Sequence, residues 1–506
     1  MKVPILSLFL LLWTVNASDV VRTVPSRNRR LTSSINNDDN NNNKARRASI
    51  SSRWGPHHQT LGSSEIFSIR SSVLDIGRGG ARKSKKAEGG KASVITSIFN
   101  LSNNVAGAGI LTLAAGKASG TGWIPSILIC ATLAFCSSHT FILIAKACEM
   151  TGEKTFKGLW SKAFGPKTAW IVDSMVFTQC FFVSIIYTGL LGDIFSALLS
   201  KSSLPASLTS RTSIILMAAS CVLWPLNNIR DLSSLGFTSI LGLFAVLYTV
   251  FFIVVRSLDG TYALDPVGKF VAEGLIIPPS FEKSTLWNFD LNSLVLISNL
   301  GLAFIAHYNG PSYWQSLADA TTERFTKVSM TSYAILASIY LAVMTRGYAT
   351  FGDVCQGNIL MNYSASDVLS TLGRLATGFS IIFGFPLISN GAREGLKNAS
   401  SALGNTSISD PKNHVKLVTA LLIVTTTLAI SLSDIKLVAG LTGAVMGSSL
   451  VYICPTLIYT KIVEKLKGRD SAEYQVAKRN LLFIPFGLFI ALMGVTMTLK
   501  NTVLAK

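Results

Sequence analysis

Apolar blocks of roughly 20 residues, separated by short polar stretches, follow one another from Ser93 to Leu499. A helix needs about 20 residues to cross a bilayer, and only helices and closed barrels satisfy their backbone groups in lipid. The blocks lack the alternation of a barrel strand. Only 14% of the 506 residues are charged, whereas soluble domains carry about a quarter. The sequence therefore predicts an all-α polytopic membrane protein.

Eleven spans fit these blocks, and the fourth and ninth are the shortest. Their predicted bounds are Ser93–Gly116, Trp123–Ala147, Ala169–Leu199, Ser210–Leu226, Leu232–Val255, Leu291–Leu317, Val328–Phe351, Leu369–Asn390, Val415–Leu432, Leu437–Tyr459 and Leu481–Leu499. Residues 93–460 are predicted to form a ten-helix core. Residues 461–506 add an inner loop, the eleventh span and a short C-terminus.

Two segments precede the first span. Residues 1–17 hold one lysine, a short apolar run and small residues before Ser18, which is typical of a secretory signal peptide cleaved after Ala17. A free apolar end is the alternative. Residues 18–92 are predicted to form a disordered basic tail rich in Ser, Asn, Gly, Lys and Arg. Its stretch Arg78–Lys91 either lies on an anionic membrane surface or remains a solvated linker.

The formal net charge of +19 is concentrated in the tail and in alternate loops. Positive charge favours the cytosolic side of a membrane, so the pattern predicts an inside N-terminus and an outside C-terminus. A cleaved signal would instead send the basic tail across the membrane, and the many loop charges outweigh that one segment. The same distribution makes the lipid bilayer the predicted partner and argues against nucleic acid.

The first span carries Asn103, Asn104, Gly107 and Gly109 close together. Glycine weakens a helix by about 1 kcal/mol relative to alanine, and asparagine has polar atoms that need partners. A helix broken at mid-membrane explains both, because the half-helix after the break presents its positive end to an anion and the freed carbonyls can hold a cation. Close helix packing through small residues is the alternative.

The sixth span is interrupted in a similar way. Phe304, His307 and Asn309 precede Gly310, which permits a bend, and Pro311, which lacks a backbone donor. Breaks five helices apart are the signature of a five-plus-five inverted repeat with a ligand site between the broken helices. His307 is a candidate for proton coupling, substrate binding or pH sensing, and a neutral histidine bonded to a carbonyl is the alternative.

Enzymatic activity is not predicted, and no catalytic residue is proposed. The sequence has no P-loop, no H-E-x-x-H and no G-x-S-x-G motif, and its seven cysteines show no metal-ligand spacing. Apart from a coupling ion, no cofactor or metal is expected. Transport energy would come from an ion gradient, which supplies about 2.3 kcal/mol per charge at 100 mV.

Four motifs resemble the amino acid/auxin permease family. The segment N-L-S-N-N-V-A-G-A-G-I-L from Asn100 is similar to the first-helix motif of sodium-coupled neutral amino-acid transporters and plant vacuolar amino-acid transporters. The segments from Ala306, Tyr348 and Pro386 resemble the sixth, seventh and eighth helices. The resemblance implies a LeuT-type fold with eleven helices, a cytosolic N-terminus and a neutral amino acid as substrate, in a vacuolar, other endomembrane or plasma membrane.

The resemblance also implies roles for single residues of the first span. Backbone groups of Gly107, Ala108 and Gly109 would hold the substrate carboxylate. Asn103 would contribute to sodium binding, with Asn104 as the alternative register.

The eighth helix departs from the family pattern. Sodium-coupled members carry a threonine there, whereas Ile382 and Gly384 stand near the expected place in this chain. Thr377 or Ser380 would replace that hydroxyl only with a shift in register. The departure puts sodium dependence in doubt and raises proton coupling or exchange.

These observations together predict a secondary active transporter of amino acids, driven by a sodium or proton gradient. The candidate substrate-binding residues are Asn103, Asn104, Gly107, Ala108, Gly109, Phe304, His307 and Asn309, and the candidate ion-binding residues are Asn103, Thr377 and Ser380. Two alternatives remain at this stage: a carrier of another small organic solute, and an amino-acid sensor that signals through its tail. The sequence does not determine the oligomeric state.

Overall fold

The computed structural model describes residues 90–200, 202–229, 238–402, 404, 407–432 and 434–504. The signal-like segment 1–17 and all of the predicted tail except residues 90–92 lie outside these ranges. Where the chain is described it is almost entirely helical, with three isolated β-bridges. This agrees with the predicted all-α class.

Helices occupy all eleven predicted spans within the described residues. In chain order the spans consist of Val94–Val105 with Leu113–Ala118, Trp123–Thr151, Ala169–Leu199, Arg211–Met217 with Trp224–Asn228, Thr238–Leu258, Ser293–Ala303 with Gly310–Ser316, Thr322–Phe351, Val368–Ala402, His414–Ser431, Ile435–Thr442 with Cys454–Lys467, and Phe483–Leu504. Shorter helices Phe156–Phe164 and Ala472–Arg479 lie in predicted inner loops.

Seven of the described helices are long and apolar enough to cross a membrane, and the two halves of the first span together would make an eighth. The fourth, fifth and sixth spans fall short of that length for separate reasons. A π-helical stretch, Ala218–Leu223, interrupts the fourth. The apolar helix of the fifth covers Gly242–Leu258, and the sixth is broken after Ala303.

The sixth and tenth spans touch backbone to backbone. A Cβ added to Gly301 would lie 3.0 Å from the carbonyl oxygen of Gly443, and one added to Gly443 would overlap the carbonyl oxygen of Ser298. Small residues permit such close approach between membrane helices. The tenth span is itself 94% buried over its apolar window, so the first half of the sixth span packs against a helix enclosed by other parts of the protein.

An ion-pair network lies on the predicted outer side. The buried carboxylate of Asp367 accepts hydrogen bonds from Arg256 Nε (2.9 Å), Arg256 Nη2 (2.7 Å) and the hydroxyl of Tyr262 (3.0 Å). Burial raises the pKa of the Tyr262 phenol, which lies in the loop after the fifth span. The network therefore ties this loop to the start of the eighth span.

Backbone hydrogen bonds link two segments on the predicted cytosolic side. The Ala92 N–H donates to the Ser316 carbonyl, and the Ala318 N–H donates to the Ala92 carbonyl, both at 2.9 Å. The two bonds form a parallel bridge between Ala92 and Leu317. The chain just before the first span is thus joined directly to the end of the sixth.

Candidate functional site

The first span is interrupted at Ala106 and Gly107, where its sequence predicted a break. The helix ends at Val105, Ala106 leaves the helical region with ψ 64°, and Gly107 is extended with φ −98° and ψ −161°. A 3₁₀ turn begins at Ala108 and continues into the second half of the span, and the two halves are bent by 53°.

The sixth span is interrupted one turn before the glycine and proline of its sequence motif. Its first helix ends at Ala303, and Ala306 has φ −144° and ψ −3°. His307–Asn309 then form a 3₁₀ turn that leads into Gly310–Ser316, with Pro311 in the first turn of that helix, where a proline is tolerated.

The two breaks meet at Gly109 and Ala303. A Cβ added to Gly109 would lie 3.1 Å from the Cα of Ala303 and 3.4 Å from its Cβ and its backbone nitrogen. A side chain at this position would press on the Ala303 backbone, so glycine favours the close approach of the two spans. The lack of a side chain at Gly109 therefore matters for packing against Ala303 as well as for backbone freedom.

Tyrosines of the seventh span bond to the carbonyls next to both breaks. The hydroxyl of Tyr340 lies 2.7 Å from the Ala303 carbonyl oxygen and 3.1 Å from that of Val105. The hydroxyl of Tyr333, two turns away on the same face, donates to the Phe304 carbonyl at 3.3 Å. A hydroxyl has one proton, so Tyr340 serves one of its two carbonyls at a time. Sequence reasoning missed both tyrosines, although their seven-residue spacing places them on one helix face.

A cavity of about 70 Å³ lies where the two breaks face the third span. The predicted residues Asn104, Gly107 and Gly109 line it together with Ala303 of the sixth-span break. The other lining residues are Val105, Gln179, Cys180, Val183, Ile186, Tyr187, Leu302, Ile305, Tyr308 and Ile388. Among the described residues no Asp, Glu, Lys or Arg side chain lines this cavity.

A second cavity, of about 40 Å³, lies on the other side of the first-span break, against the fifth and eighth spans. Ala106 and Gly107 line it, and so do the predicted ion-binding residues Thr377 and Ser380. The hydroxyl oxygen of Thr377 is 3.0 Å from that of Thr249, a fifth-span residue that sequence reasoning did not single out. The hydroxyl-bearing residues Thr377 and Ser380 of the eighth span therefore both lie on the side of that helix that faces the first span.

Asn103 approaches the same region. A Cβ added to Gly242 of the fifth span would lie 3.3 Å from Ser380 Oγ and 3.7 Å from Asn103 Oδ1. The structure thus brings Asn103, Thr377 and Ser380 to one side of the first-span break. The resemblance to the family's eighth helix implied that the two hydroxyls could replace the missing threonine only with a shift in register. In the structure they face this cavity without such a shift.

His307 lies outside both cavities. Its ring is fully buried, and its Nε2 is 3.0 Å from the Ser137 carbonyl oxygen and 3.1 Å from Thr140 Oγ1 of the second span. The ring packs edge-on against Phe141 with centroids 5.3 Å apart. This is the environment of the carbonyl-bonded histidine that the sequence left as the alternative.

Two other sixth-span candidates also lie outside the cavity linings. Phe304 is fully buried and packs against Tyr340, with ring centroids 4.9 Å apart. Asn309 is half-buried and belongs to the 3₁₀ turn that leads into Gly310–Ser316. The sixth-span side chain that does line the first cavity is Tyr308, next to His307 and absent from the predicted set.

Comparisons with known proteins identify the family of this chain. A family model described as transmembrane amino acid transporter protein matches residues 90–500. A Danio rerio protein provisionally named sodium-coupled neutral amino acid transporter 11 is 28% identical over 419 residues, which are 81% of this chain and 87% of the relative. Vacuolar amino acid transporter 5 of Schizosaccharomyces pombe is 25% identical over 374 residues, 73% of this chain and 84% of the relative.

A solved structure of similar architecture is that of MhsT in complex with L-phenylalanine. It aligns with a TM-score of 0.50 at 13% sequence identity, over 81% of this chain and 100% of that one.

Proposed function

Since the chain belongs to the transmembrane amino acid transporter family, we propose that it carries neutral amino acids through the cavity between the two broken spans, coupled to sodium. The protein is an integral membrane amino acid transporter rather than an enzyme. Its fold is the LeuT-type five-plus-five inverted repeat with an eleventh helix.

The first-span break is the proposed binding place for the substrate carboxylate. The half-helix that starts at Ala108 continues to Ala118, so its positive N-terminal end lies beside Gly107 at the cavity. Free N–H groups in the first turn of a helix attract anions. Asn104 lines the same cavity and supplies a polar side chain close to the break.

The neutral lining of this cavity is the observation that carries the substrate class. Among the described residues that line it, none bears an Asp, Glu, Lys or Arg side chain. A charged substrate side chain would lose its water without gaining an opposite charge, which is costly in a buried site. Neutral amino acids avoid that cost.

The cavity beside Thr377 and Ser380 is the proposed place for sodium. Hydroxyl, amide and freed backbone oxygens are the ligands that broken transporter helices offer to a coupling cation. Proton coupling would need a group that titrates near neutral pH, and Tyr187 is the single titratable side chain among the described residues of this cavity. Phenols ordinarily titrate near pH 10. The name of the Danio rerio relative points to sodium as well.

Uptake into liposomes tests the proposal. Purified protein would be reconstituted and offered a panel of neutral, acidic and basic amino acids under an imposed sodium gradient, a proton gradient or none. We expect neutral amino acids to accumulate under the sodium gradient alone. Accumulation that follows the proton gradient would overturn the sodium assignment. Failure of every amino acid to accumulate or exchange would leave the sensor alternative.

A pair of eighth-span serines provides the matched control. Ser380→Ala should raise the sodium concentration for half-maximal uptake about tenfold, because a ligand to the ion is lost. Ser389 lies further along the same helix and lines a separate small cavity against the third and ninth spans. Ser389→Ala should leave sodium dependence unchanged. Equal effects of the two substitutions would contradict the proposed ion site.

A further inference from the structure

Gln179 is a buried polar side chain that the proposed transport route does not yet use. It lies on the third span, is 4% exposed, and lines the cavity between the two breaks. Within the described part of the chain its Oε1 has no hydrogen-bond partner. Leaving a buried amide oxygen unsatisfied is costly, and polar groups at membrane depth are usually functional. The amide is therefore placed to bind something that enters the cavity.

The position of Gln179 separates it from the proposed carboxylate site. Tyr187, eight residues further along the third span, has its hydroxyl 3.3 Å from a Cβ built on Gly107. Eight residues of helix advance by about 12 Å. Both Tyr187 and Gln179 line the same cavity. A substrate whose carboxylate is held at Gly107 would thus direct its side chain along the cavity towards Gln179.

The walls between these two positions are largely apolar. They are formed by Val183, Ile186, Leu302, Ala303, Ile305 and Ile388. Two polar side chains of the wall, Tyr308 and Cys180, contact each other through the tyrosine hydroxyl and the sulfur at 4.0 Å. Gln179 is therefore the lining side chain with an open hydrogen-bonding capacity at that end of the described cavity.

A carboxamide offers a donor and an acceptor on one group. It can pair with a substrate hydroxyl or with another carboxamide, whereas an aliphatic side chain would leave it buried and unsatisfied. Sites built to hydrogen-bond a substrate group discriminate strongly against analogues that lack the group.

We infer that Gln179 is a specificity-determining residue that selects neutral amino acids with a hydroxyl or carboxamide side chain over aliphatic ones of the same shape. This inference rests on the proposed function, because it assumes that the cavity holds the substrate. Gln179 would contact the side chain of the substrate, which is the part that differs between one neutral amino acid and another.

The test compares near-isosteric substrate pairs, threonine with valine and glutamine with methionine. In liposomes, the wild-type protein should take up threonine and glutamine about tenfold faster than their apolar counterparts. Gln179→Met should bring both ratios close to one, mainly by raising uptake of valine and methionine. Thr178→Val is the matched control, because Thr178 is buried on the same helix, bonds to the Ser174 carbonyl and is absent from the cavity lining.

A binding measurement covers the case in which Gln179→Met folds but does not transport. Thermal stabilisation of the purified protein by glutamine and by methionine should then show the same change in preference. If wild type prefers neither member of each pair, or if Gln179→Met retains the preference, the inference about Gln179 is overturned while neutral amino-acid transport stands. Absence of uptake, exchange and stabilisation with every amino acid would overturn both.

Discussion

The two broken spans look alike in sequence and differ in their surroundings. The first-span break is open on two sides, because Gly107 lines both the cavity facing the third span and the cavity facing the fifth and eighth. The sixth-span break borders the first of these cavities alone. Tyrosine hydroxyls bond its Ala303 and Phe304 carbonyls, and Gly301 before it rests against the tenth span. The first break therefore borders two cavities, whereas the sixth borders one and is packed against the tenth span.

The residue types at each break explain this difference. The first break consists of asparagines, alanine and glycines, which are small or polar and leave space beside the backbone. The sixth carries Phe304 and His307, whose buried rings pack against the seventh and second spans, and Tyr308, which lines the cavity. Two interruptions at equivalent positions of an inverted repeat can therefore contribute unequally to the lining of the cavities.

The largest expected effect is at the contact between the two breaks. Gly109→Leu should reduce uptake about 10- to 100-fold, because a side chain there meets the Ala303 backbone at 3.1 Å and overpacking costs about 1–3 kcal/mol. Gly109→Ala should fall between wild type and Gly109→Leu. Uptake per inserted protein is the measurement. Wild-type uptake by Gly109→Leu would remove this part of the first span from the site.

The next effect concerns the anchoring of the sixth-span break. Tyr340→Phe should lower the free energy of unfolding by about 1–3 kcal/mol, because a buried carbonyl loses its donor. Tyr333→Phe is the control on the same helix face and should cost less, since its bond to the Phe304 carbonyl is longer, 3.3 Å against 2.7 Å. Thermal unfolding in detergent would rank the two. A larger loss for Tyr333→Phe would contradict the anchoring role of Tyr340.

The smallest effect should be at His307. His307→Gln should keep uptake within about threefold of wild type and leave its profile over about pH 5–8 unchanged, because the ring bonds the second span rather than a cavity. Tyr308→Phe, at the neighbouring residue that lines the cavity, should reduce uptake more. A pH profile that flattens in His307→Gln would restore the proton-coupling role that the sequence had suggested.

The positions of the breaks could be predicted from the sequence, but the directions of side chains after a break could not. Glycine, asparagine and proline mark the interruptions wherever the surrounding chain is apolar. His307 and Tyr308 are adjacent, yet one contacts the second span and the other lines the cavity. Since the helical period ends at Ala303 and begins again after a 3₁₀ turn, the face of a later residue does not follow from the face of an earlier one.

The eighth-span hydroxyls illustrate a second limit. Comparison with a family motif assigns one register, and by that register Ile382 and Gly384 stand where a hydroxyl is expected. Thr377 and Ser380 are three residues apart and therefore share a helix face, and that face is the one turned to the first span. Which face meets a distant span depends on tertiary packing.

Gln179 could have been found from the sequence, because it is an isolated glutamine within the apolar third span.

The bridge between Ala92 and Leu317 has a mechanical consequence. Ala92 is held by two backbone hydrogen bonds, one at its own N–H and one at its own carbonyl. Since the first span begins at Val94, its start is tied to the end of the sixth span through these two bonds. Side-chain substitutions would leave this linkage in place, and a proline at position 92 would remove one of its two donors.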